Sequence, residues 1–242
     1  MPSSFFGEFM GTLVLILLGN GVVANVLLKR SKAEGAGWVA IAAGWGFAVV
    51  FGVFTAKACG SADAHLNPAV TLGMAVASGD FSNLGPYVLA QLLGAMAGAV
   101  LVWLHFWPHW RVTEDTSTKF GCFSTSPAIR APLANLFSEI VGTFVLVLGA
   151  SAIFSKTVAP SGIAPGLGPY LVGVLVWSIG LSLGGTTGYA INPARDFGPR
   201  IMHSILPIGK KSGSDWSYAP VPIVGPLVGA ALAGLFARMA HM

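Results

Sequence analysis

The chain has 242 residues, of which 54% are hydrophobic and only 9% are charged, and its formal net charge is +4. Because a soluble domain carries about 25% charged residues, this composition excludes a soluble globule and a disordered chain. The basic residues are scattered, which gives nucleic-acid binding almost no support. The two cysteines, Cys59 and Cys122, form neither a disulfide framework nor a zinc motif. The composition predicts an integral membrane protein.

Six apolar runs are long enough to cross a bilayer, since a spanning helix needs about 20 mostly apolar residues. These runs are 4–28, 37–56, 84–106, 132–155, 168–184 and 219–240. The polar segment 107–131 is expected to form a central loop. It would join two halves, about 1–106 and 132–242, of a single membrane domain.

Two further apolar runs, 67–77 and 192–202, are too short to span. About 11 residues of helix cover roughly 16 Å, half of a ~30 Å hydrocarbon core. Each run opens with the same triplet, in which Asn suits a helix N-cap and Pro suits the first helical position. The triplets are Asn67-Pro68-Ala69 and Asn192-Pro193-Ala194. They predict two half-helices that enter the membrane and stop.

The two halves repeat one pattern. Residues 138–143 resemble residues 7–12 at an offset of 131, and the two Asn-Pro-Ala triplets lie 125 residues apart. Each half therefore reads as helix, helix, half-helix, helix. Three spans per half force the second half to enter from the opposite side, which makes an inverted repeat, and paired interrupted helices point to the functional site. The predicted fold class is an all-α membrane protein with six spanning helices and two re-entrant half-helices.

The half-helices are expected to meet at the membrane centre with their N-termini facing each other. Each N-terminus carries partial positive charge and free N–H groups, so the junction would donate hydrogen bonds and repel cations, including hydronium. The backbone before each triplet cannot be helical, and at membrane depth such backbone is tolerated where it lines a cavity. Its carbonyls would offer a ladder of acceptors. The residues concerned are Ala64, His65, Leu66, Tyr189, Ala190 and Ile191.

Segments 64–71 and 188–199 resemble, almost word for word, the two signature loops of the major intrinsic protein family, the aquaporins and aquaglyceroporins. The resemblance covers nearly the whole chain. It implies a homotetramer in membrane lipid with one pore per subunit, both termini in the cytoplasm, and no cofactor or metal. The near absence of polar tails suggests a bacterial inner membrane protein.

The resemblance also implies a second constriction, formed by Trp45, Gly180, Tyr189 and Arg195. Chemistry alone already marks Arg195, because an arginine in the first turn of a membrane half-helix is costly and offers five fixed donors. Gly180 takes the position of a histidine in water-selective channels and would leave the pore wide. Trp45 and Tyr189 would form an apolar corner opposite Arg195.

An aspartate, Asp196, follows Arg195, and in this the sequence resembles the glycerol facilitator branch of the family, since water channels usually carry Ser there. The implied function is a passive channel for glycerol and similar small neutral solutes, with water, that excludes ions and protons. Tyr189 departs from that branch, which usually carries Phe there, and its hydroxyl could re-tune the filter. The alternatives of the same fold are therefore a water-selective channel or a channel for dihydroxyacetone, urea or lactic acid.

Glu8 and Glu139 are the only acids inside the spanning runs. We interpret them as structural acceptors for backbone N–H groups of the adjacent re-entrant loop, with a proton-coupled transporter as the alternative. A third hypothesis is a membrane hydrolase, since Gly180-x-Ser182-x-Gly184 fits a nucleophile motif and His65 could act as base. The motif lacks its strand–turn–helix context, and we expect His65 to pack in the loop. Arg200 is expected to snorkel to the membrane surface.

The charges oppose the implied orientation. With both termini in the cytoplasm, eight Lys and Arg residues of the loops would lie outside and three inside. The outer set is Lys29, Arg30, Lys32, Arg111, Lys119, Arg130, Lys210 and Lys211; the inner set is Lys57, Lys156 and Arg238. This distribution runs against the positive-inside rule. We follow the family because its inverted loops match so closely.

Overall fold

The computed structural model describes residues 3–242, and within that range all regular structure is helical. The ten helices are α1 (Ser4–Leu27), α2 (Gly37–Ala58), α3 (Pro68–Ser78), α4 (Leu84–His105), α5 (Trp107–Val112), α6 (Thr116–Gly121), α7 (Pro132–Phe154), α8 (Leu167–Leu183), α9 (Pro193–Ile205) and α10 (Pro220–Met239).

The six predicted apolar runs correspond to α1, α2, α4, α7, α8 and α10. Five of them are long and apolar enough to cross a membrane by length and composition, and α8, with 17 residues, is shorter. At 1.5 Å per residue α8 still covers about 25 Å. The all-α membrane fold with half-helices is confirmed.

The two half-helices, α3 and α9, begin where the Asn-Pro-Ala triplets predict. The side chain of Asn67 accepts a hydrogen bond from the amide of Ala69 at 2.8 Å, and that of Asn192 accepts from Ala194 at 3.0 Å. Both asparagines therefore act as N-caps. Helix α3 ends at Gly79 with a left-handed backbone, whereas α9 runs to Ile205, three residues beyond the predicted end.

Segment 107–131, the expected central loop between the halves, contains two short helices. This segment contains α5 and α6 and buries several apolar side chains, among them Trp110 and Phe123. Asp115 caps α6 by accepting from the amides of Ser117 and Thr118. Buried aromatic anchors fold the segment onto the helical bundle, so it is part of the core.

Each half-helix packs against a spanning helix of the other half. Helix α3 lies on α10 and α9 lies on α4, while α1 packs on α2 and α4, and α7 on α8 and α10. Glycines permit the close crossings: a Cβ on Gly98 of α4 would lie 2.7 Å from the carbonyl oxygen of Leu13 in α1. The exchange of half-helices places both Asn-Pro-Ala ends in the interior.

Candidate functional site

The two asparagines of the triplets are linked to the opposite re-entrant loops by reciprocal hydrogen bonds. The amide nitrogen of Asn67 donates to the carbonyl of Ile191 at 2.7 Å, and that of Asn192 donates to the carbonyl of Leu66 at 2.9 Å. Both side chains are buried. Because a side-chain amide has two N–H groups, each asparagine keeps one donor beyond this bond.

These bonds give two carbonyls of the expected acceptor ladder a partner in the protein. The carbonyls of Leu66 and Ile191 accept from the asparagines, so they brace the junction between the half-helices. Ala64, His65, Tyr189 and Ala190 all line the internal cavity. Leu66 and Ile191 line the cavity as well, and because a carbonyl oxygen has two lone pairs, each of them keeps one further acceptor site.

The two loops share an unusual backbone conformation. Ala64 and Leu66 have φ values of 51° and 55°, and Tyr189 and Ile191 have values of 36° and 42°. A positive φ is uncommon for residues other than glycine, yet it occurs here at alternate residues in both loops. Such a conformation persists only where the surroundings over-determine it, and two buried acids supply part of that restraint.

Glu8 holds the first loop. Its carboxylate accepts from the amides of His65 and Leu66, each at 2.8 Å, from the hydroxyl of Ser61 at 2.7 Å and from the side chain of Gln91 at 2.8 Å. The side chain is fully buried. These four hydrogen bonds tie the first loop to α1 and α4.

Glu139 holds the second loop in the same way. Its carboxylate accepts from the amides of Ala190 at 2.9 Å and Ile191 at 2.8 Å, and from the hydroxyl of Thr187 at 2.7 Å. Both acids therefore accept hydrogen bonds from backbone N–H groups of the adjacent re-entrant loop, as predicted.

A cavity of about 650 Å³ runs along both loops. One part of its wall is polar and consists of the two loops, the asparagines and the arginine: Ala64, His65, Leu66, Asn67, Tyr189, Ala190, Ile191, Asn192 and Arg195. The remaining wall includes apolar side chains of the spanning helices: Leu15, Val49, Val53, Leu146 and Val176. The rest of each triplet, Pro68, Ala69, Pro193 and Ala194, is buried in the first turns of α3 and α9.

Trp45 and Arg195 lie against each other. The guanidinium carbon of Arg195 is 4.0 Å from the centroid of the Trp45 ring, a cation–π geometry. The expectation that Arg195 stands opposite Trp45 is therefore corrected. Both side chains line the cavity and are more than nine-tenths buried. This contact holds the guanidinium at the cavity wall.

The structure shows which side chain lies against Gly180, and the width of the pore at this position stays a prediction. Within residues 3–242, Gly180 is absent from the cavity wall. A Cβ added to it would lie 2.8 Å from both Cζ and the hydroxyl oxygen of Tyr189. The phenol ring thus fills the space that the missing side chain would occupy. Its hydroxyl is buried and has no hydrogen-bond partner among the described residues.

Arg200 is not a snorkelling side chain, contrary to expectation. It is fully buried, and its guanidinium pairs with Asp196, one turn earlier in α9, at 2.8 Å. It also donates to the backbone carbonyls of Thr125 and Ser214. Asp196 in turn accepts from the amide and hydroxyl of Thr125. This network ties α9 to the loops that follow α6 and α9.

His65 lines the cavity and packs edge-to-face on Tyr87, with ring centroids 5.6 Å apart. No group of three His, Cys, Asp or Glu side chains able to hold a metal occurs within residues 3–242. Ser182 lies inside α8, near its end, so it does not sit on the strand-to-helix turn that a nucleophile of that motif requires.

Sequence reasoning missed several residues that support the site: Trp38, Ser61, Gln91, Thr125 and Thr187. One signal could have revealed two of them. A hydroxyl residue precedes each triplet at nearly the same distance, Ser61 before Asn67 and Thr187 before Asn192. Asp196 and Arg200 likewise stand four residues apart, the spacing of an ion pair on one helix face.

Two half-helices that meet inside a helical bundle, beside a cavity lined by both polar loop groups and apolar side chains, define a membrane channel. A sequence model of the family described as Major intrinsic protein matches residues 2–237. The chain belongs to the major intrinsic protein family.

Individual relatives agree with this assignment. The chain is 56% identical to glycerol uptake facilitator protein 3 of Lactiplantibacillus plantarum over 95% of this chain and 93% of that protein. It is 54% identical to the glycerol uptake facilitator protein of Streptococcus pneumoniae strain R6, over 97% and 98% respectively. Its fold is similar to the X-ray structure of the aquaglyceroporin from Plasmodium falciparum, with a TM-score of 0.83 and 30% identity over 97% of this chain and 94% of that one.

Proposed function

We propose that the chain is a passive channel that conducts glycerol and similar small neutral solutes, together with water, and excludes ions and protons. One observation carries the proposal: Asn67 and Asn192 meet inside a cavity that also exposes Arg195 and two non-helical loops. The glycerol uptake facilitators among its relatives support glycerol as the solute.

The cavity suits a polyol because its lining offers polar groups to the hydroxyls and apolar side chains to the carbon chain. Arg195 and the free N–H groups of Asn67 and Asn192 would donate to hydroxyl oxygens. The carbonyls of Ala64 and Ala190, with their loop neighbours, would accept hydroxyl protons. The apolar helix residues would contact the carbon chain, so the solute loses water without leaving polar groups unpaired.

Cations are disfavoured by fixed positive potential. Each half-helix N-terminus carries about half a positive charge, and Arg195 adds a full charge in the same passage. A water or hydroxyl oxygen at the junction would be oriented by donors from both sides. Such orientation breaks the donor–acceptor chain along which a proton would move.

Other hypotheses find less support. Chains of this family are passive channels and not enzymes. For a proton carrier, Glu8 and Glu139 would have to release the loop amides that they hold. The glycerol uptake facilitators among the relatives weigh against a water-selective filter. Urea, dihydroxyacetone and lactic acid are alternative neutral solutes, and permeability measurements on proteoliposomes distinguish them from glycerol.

The assembly and orientation rest on the family resemblance. We propose a homotetramer in the bacterial inner membrane, with inverted halves and both termini in the cytoplasm. The charge count still opposes this orientation, although four of the eight outer cations have partners in the fold: two form ion pairs and two donate to backbone carbonyls. These four are Lys29, Arg130, Lys119 and Lys211.

Light scattering of proteoliposomes in stopped flow tests the function. Under a glycerol gradient we expect fast reswelling that is insensitive to sodium and to an imposed pH gradient. Fast water efflux under a sucrose gradient without glycerol entry would identify a water-selective channel. Glycerol accumulation driven by a pH gradient would instead establish proton coupling.

A further inference from the structure

Trp38, outside the cavity wall, contacts two members of the proposed filter. It lies near the start of α2, and its indole N–H donates to the carbonyl of Gly180 in α8 at 2.9 Å. Its ring meets the ring of Tyr189 edge-to-face, with centroids 5.8 Å apart and an interplanar angle of 74°. The side of Tyr189 away from the solute is therefore supported by an aromatic ring that is itself tied to α8.

The space around the Tyr189 ring is closely filled. A Cβ on Gly184 would lie 2.6 Å from Cδ1 of Tyr189 and 2.7 Å from Cζ2 of Trp38. A Cβ on Gly180 would lie 2.8 Å from Cζ of Tyr189. Since the Tyr189 hydroxyl has no partner within residues 3–242, no hydrogen bond fixes the ring. Packing against Trp38 and the two glycines must fix it.

We propose that Trp38 is a positioning residue for solute selection, which sets the width of the filter by holding the Tyr189 ring toward Trp45 and Arg195. This inference rests on the proposed function. Trp38 is absent from the cavity wall within the described part of the chain, so it acts on solutes only through Tyr189. Without the indole, the ring can move into the vacated space, and the passage admits a wider solute.

The test compares Trp38→Ala and Trp38→Phe with the wild type in proteoliposomes, using water, glycerol and erythritol, a four-carbon polyol. We expect the ratio of erythritol to glycerol permeability to rise several-fold in Trp38→Ala. Trp38→Phe keeps an aromatic edge but loses the N–H donor, so its erythritol-to-glycerol ratio should lie between those of the wild type and Trp38→Ala. Trp107→Ala is the matched control, because Trp107 has similar exposure, 42% against 38%, but packs on Trp103.

A double-variant cycle separates positioning from general damage. In a Tyr189→Ala background, Trp38→Ala should produce no further change in the ratio. If Trp38→Ala lowers water, glycerol and erythritol permeability in proportion, or has its full effect without Tyr189, the proposal is overturned.

A readout independent of transport completes the design. Thermal unfolding in detergent is measured for the wild type, Trp38→Ala, Tyr189→Ala and the double variant. The destabilisation by the two substitutions together should differ from the sum of their separate effects. Additive losses would overturn the coupling even if the wild type conducts glycerol. A wild type that fails to conduct glycerol, with coupling intact, would refute the proposed function and keep the support of Tyr189 by Trp38.

Discussion

The side-chain amide of Asn67 donates to the carbonyl of Ile191, a residue 124 positions further along the chain. Asn192 returns the bond to Leu66. Each asparagine also caps its own half-helix, so one side chain links a helix end, the opposite loop and the cavity. A residue that only caps its helix, such as Ser or Asp, would lack the amide N–H that joins the two halves.

Asn192→Ala is expected to lower stability by about 2 kcal/mol, since it removes a cap of about 1 kcal/mol and a hydrogen bond of similar net worth. Glycerol permeability should fall strongly, because a solute donor is lost as well. Thermal unfolding in detergent and stopped-flow reswelling measure the two effects. Asn83→Ala is the control, since Asn83 precedes α4 without making a side-chain capping bond; equal losses in both variants would contradict the prediction.

Glu139→Gln should destabilise the second loop by about 1–3 kcal/mol, because one carboxylate oxygen becomes an amide donor that faces a backbone N–H. Glycerol permeability should fall with stability. Glu114→Gln, at an exposed position, should change neither quantity. Unchanged stability combined with loss of a pH-driven flux would support the proton-carrier hypothesis instead.

Arg200→Met should cost about 3–5 kcal/mol, since it leaves the buried carboxylate of Asp196 without its partner. Arg130→Met removes an exposed ion pair with Asp215, a type of pair worth about 0–1 kcal/mol. Chemical or thermal unfolding of both variants in detergent gives the comparison. Similar losses for the two would show that burial of the Arg200 network contributes little.

Gly180→Ala should reduce glycerol permeability more than water permeability, because the new methyl group displaces the Tyr189 ring toward the passage. Gly21→Ala provides the control, since no atom lies within 4 Å of its added Cβ. Stopped-flow traces under glycerol and sucrose gradients report the two permeabilities. Unchanged permeability in Gly180→Ala would mean that Tyr189 is not displaced into the passage.

Tyr189→Phe should leave glycerol permeability near the wild-type value and should not lower stability. The hydroxyl is buried and unpartnered among residues 3–242, and an unsatisfied buried polar group costs about 1–3 kcal/mol. Proteoliposome assays with glycerol, urea and water measure the outcome. A selective loss of glycerol flux would place the hydroxyl in contact with the solute.

The sequence by itself determined the membrane class, the spans and the two half-helices. Apolar length sets the spans because a bilayer has a fixed thickness. The triplets of Asn67 and Asn192 set the half-helix starts because capping is local chemistry within three residues. The assignment of Glu8 and Glu139 to loop amides came from their repeated positions, and the structure has those contacts.

Only the tertiary structure decided where side chains from distant segments meet. The contact of Arg195 with Trp45, the filling of the Gly180 space by Tyr189 and the support of Tyr189 by Trp38 join residues from α2, α8, α9 and the second loop. The spacing of Asp196 and Arg200 permits an ion pair, but burial of Arg200 also needs the carbonyls of Thr125 and Ser214, which come from loops outside α9. Local patterns specify helices and caps, whereas packing between helices sets the width and polarity of the passage.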